Sequence, residues 1–353
     1  MGRTQPSIGQ PPASFRRAAR AKKAKATINQ VVPGLLPTHP RARRGLDAAE
    51  LIVNPPPRTS NQEPHALRLK LRSADTLKAA RALVDADASV RVAVLNMASP
   101  LHPGGGFLNG ASSQEESLCM RTTLLPSLKD EYYRLPELGA IYTPDVMVFR
   151  DADGGDVVLE KRNRWFVDCI TAAMLRNPEV ERDDEKGWGR YVNVKDRELA
   201  VSKMRMVMRI CQDKGVEKIV LGAWGCGAYG NPVGEVAAAW RKVLLPQIVS
   251  KGKRVVETWK GIEECVFAIK DPGMADAFAA AFGDGLEREA LGEANEDDED
   301  DDEDDETAEL EAKIAELRAR IRNANPAIGR ALQPVLVGLI AQLPEGHPER
   351  LSV

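Results

Sequence analysis

Two glycine-rich segments and a pair of adjacent carboxylates are the residues of this chain best suited to chemistry. The first segment runs Asn96-Met97-Ala98-Ser99-Pro100-Leu101-His102-Pro103-Gly104-Gly105-Gly106-Phe107, and Gln114-Glu115-Glu116 follows the third glycine after a seven-residue spacer. Three successive glycines let backbone amides approach an anion closely, and a following helix N-terminus adds partial positive charge, so a diphosphate suits this loop. No Gly-Lys-Ser/Thr follows, which excludes a Walker A loop. Asn96, at the end of an apolar run, is placed to hydrogen-bond a sugar hydroxyl. Two carboxylates at a loop-to-helix junction suit general acid–base work. The same residues also spell a capping box, Ser113-x-x-Glu116, and acids in a first helical turn satisfy the helix dipole; the triple glycine just ahead tips the balance towards chemistry.

The second segment is Leu221-Gly222-Ala223-Trp224-Gly225-Cys226-Gly227-Ala228-Tyr229-Gly230-Asn231-Pro232. A tight strand-to-helix turn accounts for any one such loop. Two in one α/β domain, each at a strand's carboxyl end, can grip both sides of one diphosphate, with Tyr229 offering an aromatic face to a base or ribose. Cys226 has no histidine near it in sequence and reads as a small packed residue rather than a nucleophile.

These loops need a frame. From about residue 66 to 282 helical and strand patterns alternate. Helices are predicted at Ser73–Asp87, Glu115–Leu125, Leu199–Lys214, Val233–Ile248 and 274–282. Strands are predicted at Val90–Asn96, Trp165–Ile170, Lys218–Leu221 and Glu264–Ile269. A strand pair, Met147–Arg150 with Val157–Glu160, is predicted around Asp153-Gly154-Gly155. Alternation of this kind implies an α/β layer architecture with a largely parallel or mixed sheet, whose ligands bind at the carboxyl ends of strands.

The flanks differ in composition. Residues 1 to 44 carry ten Lys or Arg and no acid, and Glu296 to Glu306 are eleven consecutive acids, within a chain of 353 residues and net charge −3. The body is near neutral, which argues against the broad basic face of a duplex-DNA binder. We expect residues 1–64 to be a basic, proline-rich mobile arm with a short helix near Ser14–Ala26, 65–285 the catalytic domain, 286–306 an acidic disordered linker, and 307–353 a helical segment. In that last segment Leu310, Ile314, Leu317 and Ile321 form one apolar stripe, and Ala331–Leu343 forms a second apolar stretch. The basic cluster reads either as a solvated arm or as an import signal or polyanion contact. The acidic run suits a basic, histone-like partner. Five scattered cysteines and four separated histidines offer neither a disulfide scaffold nor a zinc site. No apolar stretch approaches a membrane span, and the N-terminus does not read as a signal sequence, so the expectation is a soluble protein of the nucleus and/or cytoplasm.

The run from Asn96 to Leu118, with its Gly-Gly-Gly and Gln-Glu-Glu, resembles the signature of poly(ADP-ribose) glycohydrolases of the compact microbial and fungal type. The similarity extends through Ile141-Tyr142-Thr143-Pro144-Asp145-Val146, Phe149-Arg150-Asp151 and the Gly222–Pro232 loop, over about residues 66 to 283. It implies a three-layer α/β/α, macrodomain-like mixed sheet. It also implies removal of ADP-ribose polymer from modified proteins, as in the DNA damage response, by hydrolysis of ribose-ribose O-glycosidic bonds, mainly exo. By position, Gly104, Gly105 and Gly106 would hold the ADP-ribose diphosphate together with Gly225, Cys226, Gly227, Ala228, Tyr229 and Gly230, with Phe107 and Gln114 as further substrate-binding residues. Asn96 and Glu115 would hold the ribose beside the scissile bond, and Glu116 would be the catalytic acid and base, with Glu115 as the second catalytic acid beside it. No cofactor or metal is implied, and the expected partners are poly(ADP-ribose) and ADP-ribosylated proteins, met by a monomer. Tyr229 stands where the compact type often has Phe, keeping the ring and adding a hydroxyl. The alternative is a non-catalytic macrodomain reader that binds ADP-ribose through the same loops; a reader has no reason to set two carboxylates beside the glycines.

Overall fold

The computed structural model describes residues 13–57, 67–151, 157–181, 188–245 and 257–289, with positions 314, 317–318, 321–322, 332–333, 336–340 and 350 beyond them. Its helices are α1 (Ala13–Ala26), α2 (Val32–Leu35), α3 (Pro40–Asp47), α4 (Thr76–Ala86), α5 (Gln114–Arg121), α6 (Val194–Asp213), α7 (Val233–Leu244) and α8 (Pro272–Phe282). Its strands are β1 (Glu50–Ile52), β2 (Arg68–Arg72), β3 (Val92–Met97), β4 (Ala140–Val148), β5 (Trp165–Ala172), β6 (Val180–Glu181), β7 (Arg190–Tyr191), β8 (Lys218–Leu221), β9 (Glu264–Ala268) and β10 (Glu287–Arg288). Contacts divide the chain into two units, residues 26–107 with 113–293, and residues 1–25 with 108–112 and 294–353.

The larger unit is a mixed eight-stranded sheet in the order β1-β4-β5-β3-β8-β9-β2-β10. β5, β3, β8, β9, β2 and β10 run parallel, while β4 is antiparallel to both β5 and β1. Helices cover both faces, so the inner strands read as near-continuous apolar runs. Ala93, Leu95, Ile219, Leu221, Cys265 and Phe267 face one core with residues of α6, α7 and α8. Val92, Val94, Val220 and Val266 face the other with Leu77, Ala80 and Leu83 of α4 and Leu118 of α5. The three-layer α/β/α arrangement agrees with the expected macrodomain-like class. An aromatic cluster, Trp224, Trp240, Phe267, Phe278 and Phe282, fills the first core with ring centroids 4.8 to 6.3 Å apart.

Several elements depart from the sequence expectation. β2 reads Arg-Leu-Lys-Leu-Arg, and its charges hide a strand that buries Leu69 and Leu71 on one face. On its other face Lys70 Nζ pairs with Glu264 at 3.2 Å and Glu289 at 2.7 Å. β4 is a nine-residue strand rather than a short one after Met147, and a register shift between Thr143 and Val146 changes which residues face the second core. Residues 157–160 are not a strand. The mobile arm expected over 1–64 is corrected for the described residues 13–57 by helices from Ala13 to Asp47 and by β1 in the sheet. Its described part is anchored by buried residues: Thr27 Oγ1 accepts from Arg150 Nη1 at 2.8 Å, and Val32 and Ala42 are buried. The boundary at 285 is corrected likewise, because β10 pairs with β2 beyond it. The acidic run lies outside the described residues. In the smaller unit, Arg17 and Arg20 of α1 donate to the carbonyls of Asn109 and Gly110 at 3.1 and 2.8 Å. There too Ile314 and Leu317 pack with Leu336, Leu339 and Ile340, so the two C-terminal stripes meet each other.

Candidate active site

β3 and β8 are parallel neighbours in the sheet, so their carboxyl ends, and the two glycine-rich loops that leave them, lie side by side. A third segment, after β5, joins from the next parallel strand. The sheet order thus gathers segments far apart in sequence.

The first loop turns over the start of α5. Gln114 clamps that helix to the strand: its Oε1 accepts from Met97 N at 2.9 Å and its Nε2 donates to Leu95 O at 2.8 Å. Both ends of the amide are therefore engaged with β3, so Gln114 orients the helix that carries the acids rather than presenting itself to a ligand. Glu115 is 3% exposed; its Oε2 accepts from Ser99 N at 2.7 Å and its Oε1 from Asn96 Nδ2 at 3.4 Å. Burial pushes its carboxyl up to about 8, and the neighbouring Glu116 charge adds to the rise against hydrogen bonds from Ser99, Asn96 and Gly104.

Glu116 reaches across to the loop, where its Oε1 accepts from Gly106 N at 2.6 Å. Ser113 makes no side-chain cap, so the Ser113 half of the capping box is not formed, and the hydrogen bond from the glycine loop holds Glu116. A Cβ at Gly105, where φ is +57°, would stand 2.5 Å from Glu116 Oε1 and 3.0 Å from Glu115 Oε2. The amides of Gly104 and Gly106 both point at the carboxylates, and Gly105 N donates to His102 O at 3.1 Å. The triple glycine is thus first a cradle for the acids. Phe107 is buried, and its amide closes the loop on Gly104 O at 3.0 Å.

Asn96 is fully buried; its Nδ2 also donates to Thr171 Oγ1 at 3.2 Å, while its Oδ1 has no partner among the described residues. An orphaned buried acceptor costs about 1–3 kcal/mol, so this oxygen is suited to a ligand hydroxyl. The Tyr133 hydroxyl is likewise buried and unpartnered, and burial with the nearby Glu115 charge holds its proton on. Thr171, Ser99 and Tyr133 escaped the sequence reading. Thr171 is legible only through the register that sets it opposite Asn96.

In the second loop Gly227 and Ala228 are exposed at the tip, and Gly225, Cys226, Tyr229 and Gly230 are half-buried. Tyr229 hydrogen-bonds Ser99 through its side chain and interacts electrostatically with Glu115 and Glu116, which joins the two loops; burial raises its pKa to about 12. Burial also raises the Cys226 thiol, which keeps it from being a thiolate nucleophile. Among the described residues no group of three His, Cys, Asp or Glu is arranged to hold a metal ion.

The fold has counterparts in known proteins. The chain matches the catalytic domain of microbial-type PARG over residues 46–151. The PARG-like fold extends well beyond that stretch. Poly(ADP-ribose) glycohydrolase from Thermomonospora curvata is 26% identical, with a TM-score of 0.57 over 76% of this chain and 98% of its own. The same protein bound to the inhibitor ADP-HPD gives 25% identity and a TM-score of 0.54 over 76% and 98%. A variant poly(ADP-ribose) glycohydrolase from Deinococcus radiodurans, in complex with ADP-ribose, is 25% identical with a TM-score of 0.52 over 68% and 95%. No curated protein matches the chain significantly in sequence.

Proposed function

We propose that this chain is a poly(ADP-ribose) glycohydrolase, which hydrolyses the ribose-ribose O-glycosidic bonds of poly(ADP-ribose), mainly from chain ends, and releases ADP-ribose. The observation that carries this reading is the seating of Glu116 on the Gly106 amide, with Glu115 beside it and Gly105 pressed against both. Glycosidic cleavage needs a proton for the leaving 2′-oxygen while an oxocarbenium-like centre develops, and then a base for water. Glu116 performs both steps in turn. Glu115 and Asn96 hold the ribose, and the second loop holds the diphosphate, whose charge helps stabilise the developing cation. The fixed amides around the carboxylates keep the reacting groups in place before substrate arrives.

Two features lie beside this activity. ADP-ribosylated proteins would be the carriers of the polymer, and the acidic run Glu296 to Glu306 suits a basic, histone-like protein by charge alone. The direct test incubates the chain with labelled poly(ADP-ribose) and resolves the products. Release of monomeric ADP-ribose supports the proposal. Polymer binding without cleavage would make the chain a reader, and release of oligomers would replace exo by endo cleavage.

A further inference from the structure

We propose that Asn231, held by Tyr191 of the β6–β7 hairpin, is a positioning residue that pre-shapes the second glycine loop for the diphosphate. The inference rests on the proposed ADP-ribose chemistry and adds to it the device that fixes the loop.

Asn231 is 3% exposed and uses its whole amide. Its Nδ2 donates to Gly225 O at 2.9 Å and to Leu175 O, in the segment after β5, at 2.8 Å. Its Oδ1 accepts from Tyr191 Oη at 2.8 Å. Its backbone N–H also donates to Gly225 O, at 3.0 Å. One side chain therefore ties together the start and end of the loop, the end of β5 and the hairpin. Gly225, at φ +78°, is required by this arrangement, because a Cβ there would meet Asn231 Nδ2 at 2.6 Å.

The hairpin is itself fixed to the helix that follows the loop. Arg197, in the first turn of α6, bridges the two: it donates to both carboxylate oxygens of Glu235 in α7 at 2.7 and 2.6 Å, and to Tyr191 O at 3.3 Å. Trp188 lies over Gly234, where a Cβ would stand 2.1 Å from the indole ring. Between the clamped ends, Gly230 N donates to Gly227 O at 2.8 Å and Cys226 N to Ala223 O at 3.0 Å. The Gly227 and Tyr229 amides donate to no backbone carbonyl among the described residues. They remain for an anion. The first loop's amides are turned to the carboxylates, so diphosphate binding falls on these donors, and their spacing depends on the clamp. Holding them in place before binding lowers the cost of ordering the loop around the ligand.

Tyr191→Phe removes one hydroxyl and leaves the Asn231 amide oxygen buried without its donor, while nothing that touches substrate changes. Arg190→Ala, which removes an exposed ion pair with Glu181 in the same hairpin, is the control for general loosening. Calorimetric binding of ADP-ribose, steady-state hydrolysis of polymer and thermal melts are measured on wild type, on these two variants and on Asn231→Asp. The expected result for Tyr191→Phe is a Kd and KM raised about fivefold to tenfold with kcat within about twofold of wild type, and Arg190→Ala like wild type. Asn231→Asp, which replaces two donors by a charge facing two carbonyls, should raise Kd further. A Tyr191→Phe protein whose melting point falls while Kd and KM stay put overturns the clamp and leaves the enzyme reading intact. A wild-type chain that binds no ADP-ribose overturns both.

Discussion

Replacing Gly105 by alanine separates the chemistry of the site from its folding. The new Cβ would stand 2.5 Å from Glu116 Oε1 and 3.0 Å from Glu115 Oε2, on a backbone with φ +57°. Both contacts are the far ends of side chains, which can swing away, so the stability cost is mainly that of a left-handed backbone, about 1–2 kcal/mol. For the reacting carboxylate, however, that movement is a loss of catalytic position. To regain an ordinary contact of 3.4 Å it must retreat by roughly 0.9 Å, a misplacement that costs on the order of a hundredfold in rate, or about 2.7 kcal/mol in barrier. The retreat also strains the 2.6 Å hydrogen bond from Gly106 N. Single-turnover hydrolysis of polymer, read beside thermal melts, measures both effects. Gly104→Ala is the counterpart, because its Cβ would meet Leu125 Cδ1 at 2.7 Å and Cys119 Sγ at 3.3 Å; it should lower the melting point more and the rate less. A Gly105→Ala enzyme with a rate within about threefold of wild type would refute the cradle geometry.

Further outcomes are expected. Glu115 has a folded pKa near 8 against an ordinary 4.5, so its contribution to stability is fully present below the ordinary value and is lost as pH rises through about 8. Glu115→Gln should remove a slope of roughly 1.4 kcal/mol per pH unit between those values, and denaturant titrations across that range that show the same slope in both proteins would contradict the assignment. A chain ending at residue 289 keeps Glu289 with Lys70 and Arg72, whereas one ending at 285 loses β10 as well; the shorter should melt measurably lower, and equal melting points would put β10 outside the fold. Activity should persist in excess EDTA, and loss on chelation with recovery on adding magnesium or zinc would move the chain to metal-assisted chemistry.

The sheet's centre was legible because β3, β8 and β9 are buried on both faces and read as unbroken apolar runs. β2 was not, because an edge-side strand that carries Arg68, Lys70 and Arg72 for its ion pairs looks polar in sequence. The helical N-terminal segment was masked in the same way: its basic residues and prolines suggest mobility, while its anchors are small, single residues such as Thr27 and Ala42. At the site, residue types and spacing marked the two carboxylates and both loops. The division of labour was illegible, since whether a glycine amide faces a carboxylate or a ligand depends on which way the loop turns. Asn231 stood inside a recognised loop, but its role depends on Tyr191, forty residues away.

The central claim is that Glu116 supplies and withdraws the proton at the bond that breaks. Glu116→Gln keeps an oxygen to accept from Gly106 N and exchanges the other carboxylate oxygen for an NH2 group, which removes the titratable proton at nearly unchanged shape. Polymer turnover and ADP-ribose affinity measured on this one variant test the claim together. Hydrolysis should be abolished while the Kd for ADP-ribose stays within about tenfold of wild type, or roughly 1.4 kcal/mol; polymer hydrolysis at near wild-type rate would contradict the account.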